Sequence, residues 1–277
     1  MAPATTIETI TPEDAAKYLA RSRAGRTLRE THVDALARDM ACGRWVFNGA
    51  SICFDAEGCL IDGQHRLSAC VNAALAFQTN VTRGLPVGAA MATIDVGKAR
   101  NPADVLRIAG VESSGHVVGA LRSVALMLRG QPAVRTRYRS PTPSEIVELA
   151  AQWSEVHEAV ALVYKPKPAV LAAARIAGLA TYLLRNCEKN DVGAFFTRLN
   201  RGAPAFGEKD PVIVCREWHH SHDTARGNLG EWIAFGTTVC AWNAYVEDRE
   251  LVKMNFKPEG ALYIAGCPAP WAKGQGK

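Results

Sequence analysis

The 277-residue chain has no apolar run approaching the roughly 20 residues that a helical membrane span requires. Its first ten residues, MAPATTIETI, lack a basic start leading into an apolar core, so no signal peptide is expected. None of the eight cysteines forms a C-x-x-C pair, which sets aside zinc ribbons and dithiol redox motifs. Most of them lie in apolar contexts and read as buried free thiols, as expected in a reducing cytoplasm. There is no Walker-type glycine loop, no serine nucleophile elbow and no H-E-x-x-H. Internal repeats and low-complexity segments are also missing. Charged residues make up 21% and hydrophobic ones 48%, the balance of an ordinary globular protein, long enough for one large or two modest domains. The net charge of +5 is a mild bias towards polyanions such as DNA or nucleotides and decides nothing alone.

What is present centres on residues 59–75, CLIDGQHRLSACVNAAL. Cys59-Leu60-Ile61 is a short apolar run of strand type after the turn Ala56-Glu57-Gly58. Asp62-Gly63-Gln64-His65-Arg66 is a polar connector. Leu67, Cys70, Val71 and Ala74 then recur at helical spacing. A strand, a glycine and a helix start present free backbone N–H groups and the positive end of the helix dipole, which suits a phosphate. Gly63 allows close approach to the backbone. His65 and Arg66 add donors, and arginine can grip phosphate bidentately. The alternative is a tight turn whose polar residues face water.

Asp62-Gly63-Gln64-His65-Arg66-Leu67 resembles the signature of the ParB/sulfiredoxin-like superfamily, especially its DGQHR-type members among phage and actinobacterial ParB-like proteins. In ParB-type CTPases the equivalent is Gly-Glu-Arg-Arg, matched by Gly63 and Arg66. In sulfiredoxin it is Gly-Cys-His-Arg, matched by Gly63, His65 and Arg66. Gln64 stands where sulfiredoxin has its nucleophilic cysteine, so sulfinic acid reduction is not expected. The resemblance covers about the first hundred residues and is less specific for reaction type than for fold. It implies an α+β N-terminal domain and a nucleoside triphosphate, ATP or CTP, with Mg²⁺ suggested by nucleotide chemistry and by no visible ligand set. Gly63 and Gln64 would cradle phosphates, Arg66 and His65 would bind or polarise them, and Asp62 would hold a metal or act as base.

A second polar stretch, residues 93–102, precedes a helix at 103–108. Gly97 permits an unusual backbone, and Lys98 and Arg100 could meet phosphates. A D-x-G-x-x-R stretch downstream of DGQHR also belongs to the resemblance, so Asp95, Gly97, Lys98 and Arg100 are candidates for the same pocket. A capped, solvated loop is the alternative.

The remaining elements follow from local signals. Residues 11–14 open a helix to about 21, with threonine as cap and proline in the first turn. Thr27 and Glu30 form a capping-box pattern before a helix carrying Val33, Leu36, Ala37 and Met40, ended by Gly43. Residues 45–47 read as a strand, 48–49 as a turn, and 51–55 and 77–83 as strands. After Gly110 strands almost vanish. Helices are expected at 117–128, from the capping box Thr142-Pro143-Ser144-Glu145 to about 164, and at 169–186, 192–199, 211–218 and 229–246. The tail after Phe256 is Gly- and Pro-rich and is expected at the surface. The domains are therefore 1–110, α+β and ParB/sulfiredoxin-like, and 111–277, all-helical.

Other polar groups carry less. Arg129, Arg135, Arg137 and Arg139, with Tyr138, form a basic segment between the two halves, either a solvated loop or a contact to DNA phosphates. His219, His220, His222 and Asp223 lack zinc spacing and read as a polar helix end. Arg21, Arg23 and Arg26 read as an exposed charge run, and His32 has no evident role. The function expected is nucleotide binding in a DNA-related role, with possible hydrolysis or phosphoryl transfer. Open alternatives are a non-enzymatic DNA-binding regulator and a small-molecule kinase or nucleic acid-modifying enzyme such as a nuclease.

Overall fold

The computed structural model describes residues 2–22, 28–86, 90, 94, 100–129, 140–165, 174–202, 209–222, 228–256 and 263–268. Among these the chain is mixed in class and mostly helical, with one four-stranded sheet and eleven helices. It divides into two compact units, Met1–Arg100 and Asn101–Lys277. The boundary expected from the sequence is 110, where strand signals stop. The helix Pro102–Ile108 falls in the second unit because Leu106 is buried in that unit's core.

The first unit begins with β1 (Ala4–Ile10), which sequence reading missed. Its residues are mostly exposed and threonine-rich, so no apolar alternation announces it. Helix α1 (Pro12–Leu19) follows as expected. Thr11 accepts the Asp14 N–H, and Asp14 accepts the Thr11 N–H in return. Helix α2 (Glu30–Ala41) buries Val33 and Met40, with Leu36 and Ala37 packed beside them. Its N-cap is Arg29, which offers no side-chain cap, so the expected Thr27 box is not its start; Thr27 itself lies outside the described residues.

Residues 45–47 are not a strand. The Arg44 and Trp45 N–H groups both return to the Asp39 carbonyl, which holds the chain against the end of α2. Trp45 turns edge-on to Phe77, while Val46 and Phe47 stay exposed. β2 (Ser51–Asp55) and β3 (Leu60–Asp62) form a hairpin, α3 (Gln64–Ala73) follows, and β4 (Phe77–Leu85) returns to the sheet. The order is β1-β4-β2-β3. β4 pairs antiparallel with β1 (Ile10 opposite Phe77) and parallel with β2 (Ile52 opposite Val81). Phe77, Thr79 and Val81 are buried on one side of β4. Arg83 ends that row at its rim, over the Tyr18 and Phe54 rings and hydrogen-bonded to both Glu8 carboxylate oxygens. Ile10, Val33, Ile52, Phe54, Leu60, Leu67, Phe77 and Val81 form one core between the sheet and the three helices.

In the second unit the described residues are helical or loop. Helices α4 (Pro102–Ile108), α5 (Ser114–Leu128), α6 (Pro143–Gln152), α7 (Val156–Tyr164), α8 (Ala174–Asn186), α9 (Lys189–Arg201), α10 (Pro211–Ser221) and α11 (Asn228–Val246) surround a core that includes Leu121, Val163, Leu179, Leu183, Phe195 and Trp242. α8 is its centre, since every residue from 176 to 184 is buried. The single helix expected from 142 to about 164 is broken between α6 and α7. Trp153 leaves helical geometry (φ −117°, ψ 65°) and buries its ring. Arg185 stacks on that ring at 3.8 Å, pairs with Glu155 at 2.8 Å and donates to the Gln152 carbonyl, so it takes up groups that the break exposes.

The tail differs from its surface reading. Ile264 and Ala265 are buried. Asn243 brackets this strap, donating to the Tyr263 carbonyl and accepting the Ala265 N–H, both at 2.8 Å. The Trp242 indole N–H donates to the Ala265 carbonyl and the Tyr182 hydroxyl to that of Pro268. No described helix is long and apolar enough to cross a membrane.

His219 of α10 lies against α11 and gives a pH dependence. The Thr238 hydroxyl donates to the Ala234 carbonyl, so it accepts from His219 Nε2–H at 3.0 Å. Burial, aided by His220 and His222, pulls its pKa from 6.5 to about 4. Between those values the unfolded chain binds a proton that the folded one refuses. This contribution is therefore complete above pH 6.5 and lost as pH falls towards 4. Urea titration should show the parent losing about 2 kcal/mol more than His219→Gln between pH 7 and 4.5.

Candidate functional site

The residues 62–66 are held by the hairpin before them and the helix after them. Asp55 Oδ1 accepts the Cys59 N–H at 2.7 Å and closes the β2–β3 turn, with Gly58 at φ +80°. Asp62 is the last residue of β3, opposite Cys53. Gly63 then adopts φ +102°, ψ 6°, and α3 begins. Only glycine fits, for two reasons. The backbone is left-handed, and a Cβ would lie 2.3 Å from Ile52 Cδ1 and 3.3 Å from Ile52 Cα. The close approach that this glycine permits is thus made first by the neighbouring strand.

The side chains of the motif turn to the protein. Arg66 Nη2 donates to the Ser51 carbonyl at 2.7 Å and to Asp62 Oδ2 at 2.9 Å. Both members of this ion pair are about six-sevenths buried. The other terminal nitrogen, Arg66 Nη1, is buried without a hydrogen-bond partner. His65 Nε2 accepts the Arg29 backbone N–H at 3.1 Å, in the role a capping-box side chain would otherwise fill for α2. Its ring meets His32 edge-on at 5.0 Å. Gln64 donates from its side chain to the Ser22 hydroxyl. Leu60 bridges to Ser22 and donates its N–H to the Arg21 carbonyl, which ties the segment after α1 to the same hairpin. What remains for a ligand is the start of α3, where Gly63 supplies no side-chain cap and the first-turn N–H groups point away from the helix.

The other expectations separate. Asp95, Gly97 and Lys98 lie outside the described residues, and Arg100 is exposed beside the Asn101–Asp104 capping box of α4. Arg135, Arg137, Tyr138 and Arg139 also lie outside, as do Arg23, Arg26 and Asp223. Arg129 pairs with Glu145 at 2.9 Å, and Glu145 also accepts the Thr142 N–H. His222 stacks on Trp218 while His219 turns to Thr238, so these imidazoles do not converge. Among the described residues no three His, Cys, Asp or Glu side chains gather as a metal site.

Sequence reasoning missed Ser22, Arg29, Ser51 and Ile52 as partners of the motif. They stand up to 42 residues away from it, and no local pattern marks them. Comparison of the chain with protein-family models, with curated proteins and with solved structures found no match.

The double demand on Gly63 is testable. Gly63→Ala should destabilise the first unit by about 2–4 kcal/mol, from a left-handed backbone plus overpacking on Ile52. Pairing it with Ile52→Ala should recover the overpacking part. A single variant as stable as the parent in urea would mean that neither demand is real.

Proposed function

We propose that this chain binds a nucleoside triphosphate, ATP or CTP, through its phosphates at the start of α3, and that it serves a DNA-related role with hydrolysis or phosphoryl transfer as the associated chemistry. The observation that carries the reading is Arg66 Nη1, a buried guanidinium donor with no acceptor, on the first turn of a helix whose N-cap Gly63 supplies no side-chain cap. A buried unpaired donor is costly, and a phosphate oxygen is the acceptor that both it and the amides favour. The likeness of residues 62–67 to the ParB/sulfiredoxin-like signature supports the same reading, with a fold of that type for the first unit.

In this reading Asp62 and the Ser51 carbonyl orient Arg66, and His65 ties α2 to the site through Arg29. Mg²⁺ would come with the nucleotide and offset its phosphate charge, since no cluster of three His, Cys, Asp or Glu side chains among the described residues would hold it. The resemblance adds Asp95, Gly97, Lys98 and Arg100 as candidate phosphate contacts. The DNA-related part rests on the net charge of +5 and the four arginines of segment 129–139.

The test is calorimetry with ATP, CTP and GTP, with and without Mg²⁺ and duplex DNA. Arg66→Lys keeps a donor for Asp62 and Ser51 while removing Nη1, so it should stay folded and lose about 1.5–3 kcal/mol of triphosphate affinity. DNA affinity of the parent should fall steeply with salt, and Arg135→Ala with Arg137→Ala should flatten the log–log slope by roughly 0.9 for each phosphate no longer neutralised. Unchanged triphosphate affinity in the folded Arg66→Lys variant would remove the phosphate site. An unchanged salt slope would remove the arginine segment from the DNA surface.

A further inference from the structure

The cysteines look unrelated in sequence, yet two of them meet. Cys187 follows the end of α8, and Cys267 lies in the strap at 263–268. Their sulfurs are 3.4 Å apart, 80 residues apart along the chain. Both are half-buried, so neither is sealed from solvent. The contact is built into the strap. Gly266 has φ +77°, and a Cβ there would stand 3.2 Å from Cys187 Sγ, so the glycine lets the strap's backbone lie against that thiol. The Cys267 N–H returns to the Ile264 carbonyl, which fixes the turn that carries the second thiol. Asn243, Trp242 and Tyr182 hold the strap on either side.

We propose that Cys187 and Cys267 form a reversible disulfide that latches the strap onto the helical unit when the chain meets a low-molecular-weight disulfide. The Cys187 thiolate attacks the oxidant's S–S bond and forms a mixed disulfide, and one small thiolate leaves. The Cys267 thiolate then attacks the Cys187 sulfur of that mixed disulfide, and the second small thiolate leaves. The protein gives up two protons and two electrons, and the oxidant becomes two thiols. Burial raises both thiols. The hydrogen bond between them lowers Cys187 and raises Cys267 further, so Cys187 is the readier nucleophile. The sulfurs need to close by a little over 1 Å to reach bonding distance, a change within reach of side-chain rotation. The ring so closed spans α9, α10 and α11, and tying a loop of that length restricts the unfolded chain strongly.

The experiment treats the full chain with oxidised glutathione, followed by intact mass, peptide mapping and thermal unfolding. The expected product has lost the mass of two hydrogens, carries one crosslink between the peptides of Cys187 and Cys267, and reverts with dithiothreitol. Its melting temperature should rise by about 5–10 °C. Cys267→Ser should yield a mixed disulfide on Cys187 with no such rise, and oxidation should quicken with rising pH in the parent. Glutathione adducts on the parent without a crosslink would overturn the proposal. So would a crosslink mapping to other cysteines, or one that persists in Cys187→Ser.

Discussion

The site depends on one backbone turn, the left-handed step at Gly63 between β3 and α3. It brings the chain so close to Ile52 that a Cβ at Gly63 would stand 3.3 Å from Ile52 Cα, and it starts a helix with no side-chain cap. Everything nearby follows from it. Arg66, on the first turn of that helix, reaches back to the strand residues Ser51 and Asp62, and His65 reaches sideways to the start of α2. A motif that looks like a ligand loop is therefore first a structural staple. The same geometry leaves Arg66 Nη1 without an acceptor at a helix start that has no side-chain cap, which is why staple and phosphate site are compatible readings of five residues.

Much of the fold was legible where the cause is local. Thr11, Thr142 and Asp210 each cap a helix with proline in its first turn, because caps and prolines act within three residues. The β2, β3 and β4 strands and the helix after Gly63 were readable for the same reason. The failures come from interactions outside the local pattern, most of them set by distant chain. β1 is an exposed edge strand defined by pairing with β4. Residues 45–47 have strand composition, but their lead N–H is taken by Asp39. The break at Trp153 is filled by Arg185, and the strap at 263–268 is buried by Trp242 and Asn243. In the site, the sequence identified the residues but not their occupations, since Ser22, Arg29 and Ile52 lie outside any local window.

The helical unit shows the same division of labour on a larger scale. α8 is buried along its middle, so the helices around it are held by packing, while the irregular joints are held by single polar residues. Arg185, Glu145 and Asn243 each satisfy backbone groups where a helix ends or a loop is buried. The thiol pair at Cys187 and Cys267 sits at one of these joints, where a covalent bond would act on the strap.

The central claim is that the start of α3 is a phosphate site built on the Gly63 turn. Amide hydrogen exchange with and without a Mg²⁺–triphosphate tests it most directly, because the proposed donors are themselves backbone N–H groups. The amides of Gln64 and Arg66 should gain protection at saturating nucleotide. Nucleotide bound with these two amides exchanging as before would contradict a phosphate site at the start of α3.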